Sequence, residues 1–461
     1  MDLSCLVDEF SWGEIATVVM HSPNNRSPGP DGFTNEFYKA FLGVIKNDLQ
    51  FFFQQLYHHL VDLSGVNQAY ISLIPKKDTP LELRDYRPIS VVHSLPKPAS
   101  KVLARRLQIQ LPALVHPLQS GFAKGRSIIE NFVMAADMVQ TAHKRKIPMI
   151  VLKLDFQKAF DTVSWACLPS ILEARGFPQK WISWVDAILS TASSRVMING
   201  ELGEPFQAKR GFRQGDSMSP YLFILVADVL QRLCCQQFEV GNLIHPLGSD
   251  RLFPVLQYAD DTLMLFQGSI QQATIIKHIL SSFSAFSGLH INYHKSTLIL
   301  ICVDGSTTSQ IGELFGCPIS SFPCTYLGLP LSLHKIKHGL LLPVIHRVDK
   351  RLSGWLATFL SSGGRLTLIN SVLASIRSYY MACFPWPKES IAKHESLMRG
   401  FFWQGKSSTK GGQCLVAWQS VTLPRTSDGL GVRDLAAHNQ ALLSKFVARV
   451  LQFSDVLATN G

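Results

Sequence analysis

Residues 253–266 read FPVLQYADDTLMLF, two apolar runs broken by the adjacent acids Asp260 and Asp261. Apolar runs on either side of a short polar break form a hairpin pattern, which predicts both carboxylates at the turn. Neighbouring carboxylates in apolar surroundings repel one another and lose solvation, and a bound cation relieves both costs. A third acid, Asp155, ends the apolar run MIVLKLDF at 149–156, which reads as a strand. Taken alone, Asp155 reads more readily as a solvated loop carboxylate or a helix cap; the pair at 260–261 shifts the balance toward a metal. Magnesium takes oxygen ligands and keeps several waters, so two or three aspartates at converging strand ends suffice. Two such ions about 3.5–4 Å apart clamp the attacking and leaving oxygens of a phosphoryl transfer.

Around these acids the periodicity alternates between helix and strand. The turn-rich run SPGPDG at 27–32 precedes a helical pattern over 33–63. Residues 69–74 and 88–93 read as the strands of a basic hairpin, with a charged loop between them. Helical patterns follow over 101–111 and 128–144, then over 157–175 with Gly176 as the stop, and over 179–190. Asn199-Gly200 is a two-residue hairpin signal. Ser219 followed by Pro220 predicts an N-cap and first-turn proline for an apolar helix over 221–233. A helix over 270–286 and short strands near 298–302 and 326–330 lead into a helix-rich, basic tail from 336. The expected organisation is 1–65 as N-terminal helices, 66–335 as the mixed core and 336–461 as a helical lobe.

Lys and Arg number 44 against 33 Asp and Glu, a net charge of +11. A negatively charged partner such as nucleic acid fits that balance, as does a merely solvated basic surface. The nine cysteines include no C-x-x-C, so neither a zinc ribbon nor a disulfide framework is indicated. The N-terminus lacks the basic and apolar regions of a signal peptide, and the run 221–233 is broken by Asp228, Gln231 and Arg232 and falls short of the roughly 20 residues of a membrane span. An intracellular protein without a membrane anchor is expected.

The YADD box at 258–261 resembles the signature of reverse transcriptases. The runs SPGPDGF at 27–33, IPKKD at 74–78, YRPIS at 86–90, QSGFAKGRS at 119–127, LKLDFQKAFD at 152–161, RQGD at 213–216 and YLGLP at 326–330 resemble, in order, those of non-LTR (LINE-type) retrotransposons, especially plant ones. The resemblance covers most of the chain. It implies an α+β right-hand polymerase with fingers, an antiparallel palm sheet and a helical thumb, and RNA-directed addition of deoxynucleotides to a primer 3′-OH. By it, Asp155, Asp260 and Asp261 are the catalytic acids and, with the Phe156 carbonyl, hold two Mg2+ ions, Asp155, Asp260 and that carbonyl lying nearest them; Mn2+ can substitute. Phe160 matches the aromatic gate under the incoming sugar; from spacing alone it is equally a core aromatic. Gln214 and Gly215 match the loop against nucleotide and template. Arg87 with Lys76 or Lys77 matches the basic hairpin on the triphosphate, although either lysine also fits a solvated loop. Lys295, in HINYHKS at 290–296, matches a lysine near the leaving pyrophosphate. Segment 353–386 resembles the thumb, and 418–445 the region beyond the thumb in plant elements. The implied partners are an RNA template, a DNA primer and deoxynucleoside triphosphates.

Full elements of this kind add an endonuclease and a Cys/His-rich segment, neither recognisable here, so a fragment or solo gene with an endonuclease supplied in trans is expected, in the nucleus or cytoplasm. Ser217-Met218 stands where Pro-Leu is usual and Phe212 where Leu is usual. Pro96 and Pro98 fall in a stretch that is ordinarily helical. Interior prolines cost about 3 kcal/mol each, which predicts a rearranged or weakened segment there. A catalytically degenerate, nucleic-acid-binding relic is the competing reading. RNA polymerases and intron maturases share the acids, but Phe160 and the flanking runs argue against both.

Overall fold

The computed structural model describes residues 2–248, 252–353, 359–406, 409 and 411–458. The chain divides into two compact units, one formed by 1–131 and 142–321, the other by 132–141 and 322–461.

The first unit opens with three helices, α1 (Trp12–Met20), α2 (Asn35–Ala40) and α3 (Lys46–Tyr57). The helix expected over 33–63 is therefore two helices: α2 is capped by Thr34, whose hydroxyl accepts the Phe37 N–H, and ends at Phe41. The loop before α2 docks on the next strand pair, β1 (Gln68–Pro75) and β2 (Tyr86–Val92). A Cβ on Gly29 would lie 2.2 Å from the Val92 carbonyl oxygen, so only glycine fits, and Asp31 accepts the Ser94 N–H at 3.1 Å. β1 also runs parallel to β4 (Ser193–Ile198), which turns through Asn199-Gly200, both at positive φ, into β5 (Glu201–Leu202), while β6 (Phe206–Gln207) pairs with β4.

The expectation of a disrupted segment at Pro96 and Pro98 is overturned. α4 runs from Pro96 to Leu114 and begins at the first proline. First-turn N–H groups have no acceptor within the helix, so a residue without one loses nothing there. α5 (Ile128–Arg145) follows, and its middle, 132–141, groups with the second unit.

The main sheet has the order β10-β9-β3-β8-β7, from β3 (Met149–Leu154), β7 (Val255–Tyr258), β8 (Asp261–Gln267), β9 (Thr297–Ile301) and β10 (Ile319–Ser320). β3 is central and antiparallel to both neighbours. Its apolar run, broken only by the half-buried Lys153, is what a strand buried on both faces requires. One face packs Ile150, Leu152 and Leu154 with Met264 and Phe266 of β8 against residues from α9 (Ser219–Glu239) and α10 (Ile270–Ser287), in a core that also takes Ile311 of α11 (Gly305–Phe315). Each such side chain contributes about 1.5–3 kcal/mol on burial.

Between β3 and β4 the expected single helix over 157–175 is two, α6 (Ala159–Thr162) and α7 (Cys167–Ala174), followed by α8 (Gln179–Ser190). Val163 leaves the helical path because the backbone there turns to pair with 210–212. The expected cap of α9 also shifts: Ser219 is its first residue, and Asp216 accepts the Met218 and Ser219 N–H groups at 3.0 and 3.2 Å. Within α9, Asp228 is fully buried and paired with Arg175 and Arg232 at 3.0 and 2.8 Å, and it accepts the His116 N–H at 2.7 Å.

The second unit starts with a hairpin of β11 (Cys324–Tyr326) and β12 (Leu329–Leu331), whose turn carbonyls Leu327 and Gly328 accept the hydroxyls of Tyr379 and Tyr380 at 2.7 and 2.8 Å. The rest is helical: α12 (His338–Ser353), α13 (Ser362–Leu368), α14 (Ala374–Met381), α15 (Lys388–Gln404), α16 (Trp418–Thr422) and α17 (Leu435–Ala458). Asn439 of α17 binds the carbonyls of Met381 and Phe384 and the Trp386 N–H, fixing the α14–α15 connection. Of the segment 353–386 matched to a thumb, 354–358 lie outside the described residues. No described helix is long and apolar enough to cross a membrane.

Candidate active site

Asp155 follows β3 directly, and Asp260 and Asp261 occupy the β7–β8 turn, where Tyr258 pairs with Asp261 and Leu154 with Thr262. Adjacent antiparallel strands thus deliver the three acids to one sheet end. Their charges act on one another. Burial raises the Asp155 carboxyl above its ordinary range and the Asp261 charge adds to this, while Lys295 and Lys153 pull it back. Burial raises Asp260 as well, followed by the charges of Asp261 and Asp155. Asp260 is nonetheless solvent-exposed.

The turn is held from behind by residues whose role the sequence did not reveal. Ala259 adopts a left-handed φ of 54°, costly for a residue with a Cβ. Its N–H donates to Gln119 Oε1 at 3.0 Å, which also accepts the Gly121 N–H at 3.0 Å. A Cβ on Gly121 would stand 2.5 Å from the Ala259 nitrogen, so this close approach requires glycine. The run 119–127 was visible as a family motif; its contact with the turn, 140 residues away in sequence, was not.

Asp155 is braced from the other side. Its N–H donates to Ser296 Oγ at 3.0 Å, its carbonyl accepts the Asn292 N–H at 2.7 Å, and Gln157 N–H donates to the His290 carbonyl at 2.8 Å. In this antiparallel bridge Phe156 faces Ile291 as the non-hydrogen-bonded pair, so the Phe156 carbonyl points away from that segment. The same segment brings Lys295 to Asp155.

Phe160 is half-buried and stacks on Phe223 of α9, centroids 4.5 Å apart and planes within 13°. Gln214 and Gly215 meet β2: Ser90 N–H donates to the Gln214 carbonyl at 2.8 Å, and a Cβ on Gly215, at φ 119°, would fall 2.8 Å from the Ser90 oxygen. Arg213 anchors the loop, donating to Asn67 Oδ1, the Asn67 carbonyl and the Ser193 carbonyl at 2.6, 2.7 and 2.9 Å; burial lowers its pKa to about 10. Behind β2, a cavity of about 230 Å3 is lined by Pro88, Ser90 and Val92. Strand alternation puts Arg87 on the opposite face, where it is exposed.

The two candidate lysines differ. Lys77 is paired with Asp85 at 2.9 Å, and hydrogen bonding to it, foremost, holds the Asp85 carboxyl down at about 2. Lys76 donates to the Arg84 carbonyl at 2.9 Å, and its charge reaches Asp161.

Among the described residues, no three His, Cys, Asp or Glu side chains gather closely enough to cage a metal. The acids instead suit an open site: magnesium is ordinarily held by one or two carboxylates together with substrate phosphates. Asp155 and Asp260, both raised by burial and by the Asp261 charge, with Asp261 and a backbone carbonyl beside them, are the donor set such an ion relieves.

Residues 74–331 match the family model described as reverse transcriptase (RNA-dependent DNA polymerase). The chain belongs to the reverse transcriptase family. Among curated relatives, the Transposon TX1 uncharacterized 149 kDa protein of Xenopus laevis is 28% identical over 427 residues, 91% of this chain and 31% of that protein. The Pol polyprotein of the type-2 retrotransposable element R2DM of Drosophila melanogaster is 30% identical over 275 residues, 58% of this chain and 24% of that protein. This reverse transcriptase is thus similar to those of non-LTR retrotransposons, and it spans about a third or less of these relatives. Among solved structures, telomerase from Candida tropicalis in complex with a telomeric RNA fragment matches at 13% identity and a TM-score of 0.43, covering 89% of this chain and 68% of that one, too distant to carry an argument.

Proposed function

We propose that this chain is an RNA-directed DNA polymerase that adds deoxynucleotides to a primer 3′-OH on an RNA template, with the first unit supplying fingers and palm and the second the thumb. The observation that carries the reading is the convergence of Asp155 with the Asp260-Asp261 turn at one end of the main sheet.

Asp155, Asp260, Asp261 and the Phe156 carbonyl would hold two Mg2+ ions, for which Mn2+ would substitute, and the three aspartates are the catalytic acids. When bound, the ions lower the charge cost at the attacking and leaving oxygens. Arg87 and Lys76 bind the triphosphate on the exposed face of the fingers hairpin, Arg87 through its planar fork. Lys77 joins them only by leaving Asp85. Phe160, fixed flat against Phe223, blocks a sugar 2′-OH and selects deoxynucleotides. Gln214 and Gly215 form the floor of the nucleotide site, and Lys295 protonates the leaving pyrophosphate. The basic helices of the second unit grip duplex phosphates without reading sequence. The degenerate-relic reading loses one of its supports, since Pro96 and Pro98 are accommodated at a helix start.

Primer extension tests the reading: on poly-rA with oligo-dT, dTTP and Mg2+, the purified chain extends the primer and Asp260→Asn/Asp261→Asn does not. Binding of primer-template without extension in either Mg2+ or Mn2+ would favour the relic.

A further inference from the structure

The loop 119–126 lies along β7 and the acid-bearing turn. Gln257 N–H donates to the Leu118 carbonyl at 3.0 Å, and Ser120 N–H to the Gln257 carbonyl at 2.8 Å. Arg126 fastens the loop to what precedes it, donating to the carbonyls of Pro112, Val115, His116 and Gln119. Gly121 makes the close contact with Ala259, and the residue after it is Phe122, at a left-handed φ of 56°. The Ala123 N–H donates to the Gly121 carbonyl at 2.7 Å, which closes a three-residue turn with Phe122 at its centre. Such a φ strains a bulky side chain, and glycine would adopt it freely. Burial does little to offset the strain, because Phe122 is 45% exposed. Tyr258, the residue before Ala259, is exposed as well. Two exposed aromatic residues therefore flank Ala259, one through the chain and one through Gly121. A ring held on a strained backbone and left largely in water does little for the fold, so its use lies in what it touches outside the chain.

We infer that Phe122 packs on the primer-template duplex beside the primer 3′ end and helps to hold that end over the acids. Next to its reacting end a duplex presents sugar faces and base edges, which an aromatic ring covers without reading sequence. Lys124, exposed two residues further on, supplies a charge for the phosphates. Gln119 and Arg126 keep the loop in one place, and Phe122 is one residue from the contact with Ala259, so its position is set relative to Asp260 and Asp261. The duplex as occupant rests on the polymerase reading, whereas the strain and exposure of Phe122 do not.

Equilibrium binding of an end-labelled oligo-dT primer on oligo-rA, and of oligo-rA alone, is to be measured over a salt series for wild type, Phe122→Asn and Phe122→Leu, with thermal unfolding of each. Asparagine accepts a left-handed backbone and removes the ring, while leucine keeps both the strain and an apolar side chain. Phe122→Asn is expected to weaken primer-template binding about tenfold, and Phe122→Leu by less. The slope of log affinity against log salt should not change, because no phosphate contact is lost. Binding of oligo-rA alone should be unaltered, and Phe122→Asn should melt no lower than wild type. Unchanged affinity for primer-template, an equal loss on oligo-rA alone, or a loss in Phe122→Asn accompanied by a lower melting temperature would each overturn the inference. A wild type that binds no primer-template would overturn the polymerase reading along with it, whereas wild-type binding that both variants retain would overturn the role of Phe122 alone.

Discussion

Gln119 Oε1 accepts the Ala259 N–H at 3.0 Å, so a buried amide from one motif supports the turn that carries the acids of another. Replacing Gln119 with Met keeps the volume and leaves the Ala259 and Gly121 N–H groups without their acceptor. A buried donor left unsatisfied costs about 1–3 kcal/mol. Denaturant unfolding should show a loss of that size, together with at least a tenfold fall in primer extension from a displaced turn.

Asp260 and Asp155 are held above their ordinary range by burial first, with the Asp261 charge adding to both and the Asp155 charge adding to Asp260. A carboxyl raised in the folded state favours folding when protonated. Its contribution is full below the unfolded value of about 3.9 and is lost as pH rises through the folded value. At neutral pH the acids therefore oppose folding of the metal-free chain. Asp260→Asn should stabilise it modestly, because solvent screens so exposed a group, and the gain should shrink as pH falls toward that range. Mg2+ should raise the wild-type melting temperature and raise that of the variant much less, which thermal unfolding checks without reference to activity.

Gly215 combines φ 119° with a Ser90 carbonyl oxygen 2.8 Å from where a Cβ would stand. Gly215→Ala must push β2 from the loop or change the backbone, at a cost of about 1–3 kcal/mol. We expect the KM for dTTP to rise at least tenfold in steady-state assays.

Pro96 occupies the first position of α4, where its ring matches the helical φ and its missing N–H has no acceptor to lose. Pro96→Ala should leave the helix intact and cost no more than about 1 kcal/mol in denaturant unfolding, chiefly through a freer unfolded chain. A variant more stable than wild type by several kcal/mol would mean that the proline strains the helix.

The elements read most directly from the sequence are those set by local pattern. The β7–β8 hairpin is announced by two acids between apolar runs, the β4–β5 turn by Asn199-Gly200, and α8 by an amphipathic repeat bounded by Pro178 and Thr191. The local pattern misled where tertiary contact sets the outcome. α6 stops because Val163 and Ser164 pair with 210–211, and α9 is capped by Asp216 because Ser100 also binds that carboxylate, at 2.6 Å. Pro96 departs from expectation for a different reason: the start of a helix tolerates proline, and nothing local in the sequence marks that start. In the site, the acids could be singled out from the residues themselves. Gln119 and Ser296 could not, because each acts on a partner distant in sequence.

The most direct test of the central claim is single-nucleotide addition by wild type and Asp155→Asn, each at saturating primer-template with Mg2+ and dTTP. Asp155 sits at the end of β3, braced through its own backbone by Ser296 and Asn292, so asparagine preserves the fold and removes only the charge. If the three acids form one metal-holding centre, the variant binds primer-template as wild type does and adds nucleotide at least a thousandfold more slowly, about 4 kcal/mol in barrier. Equal rates for the two proteins would contradict the account.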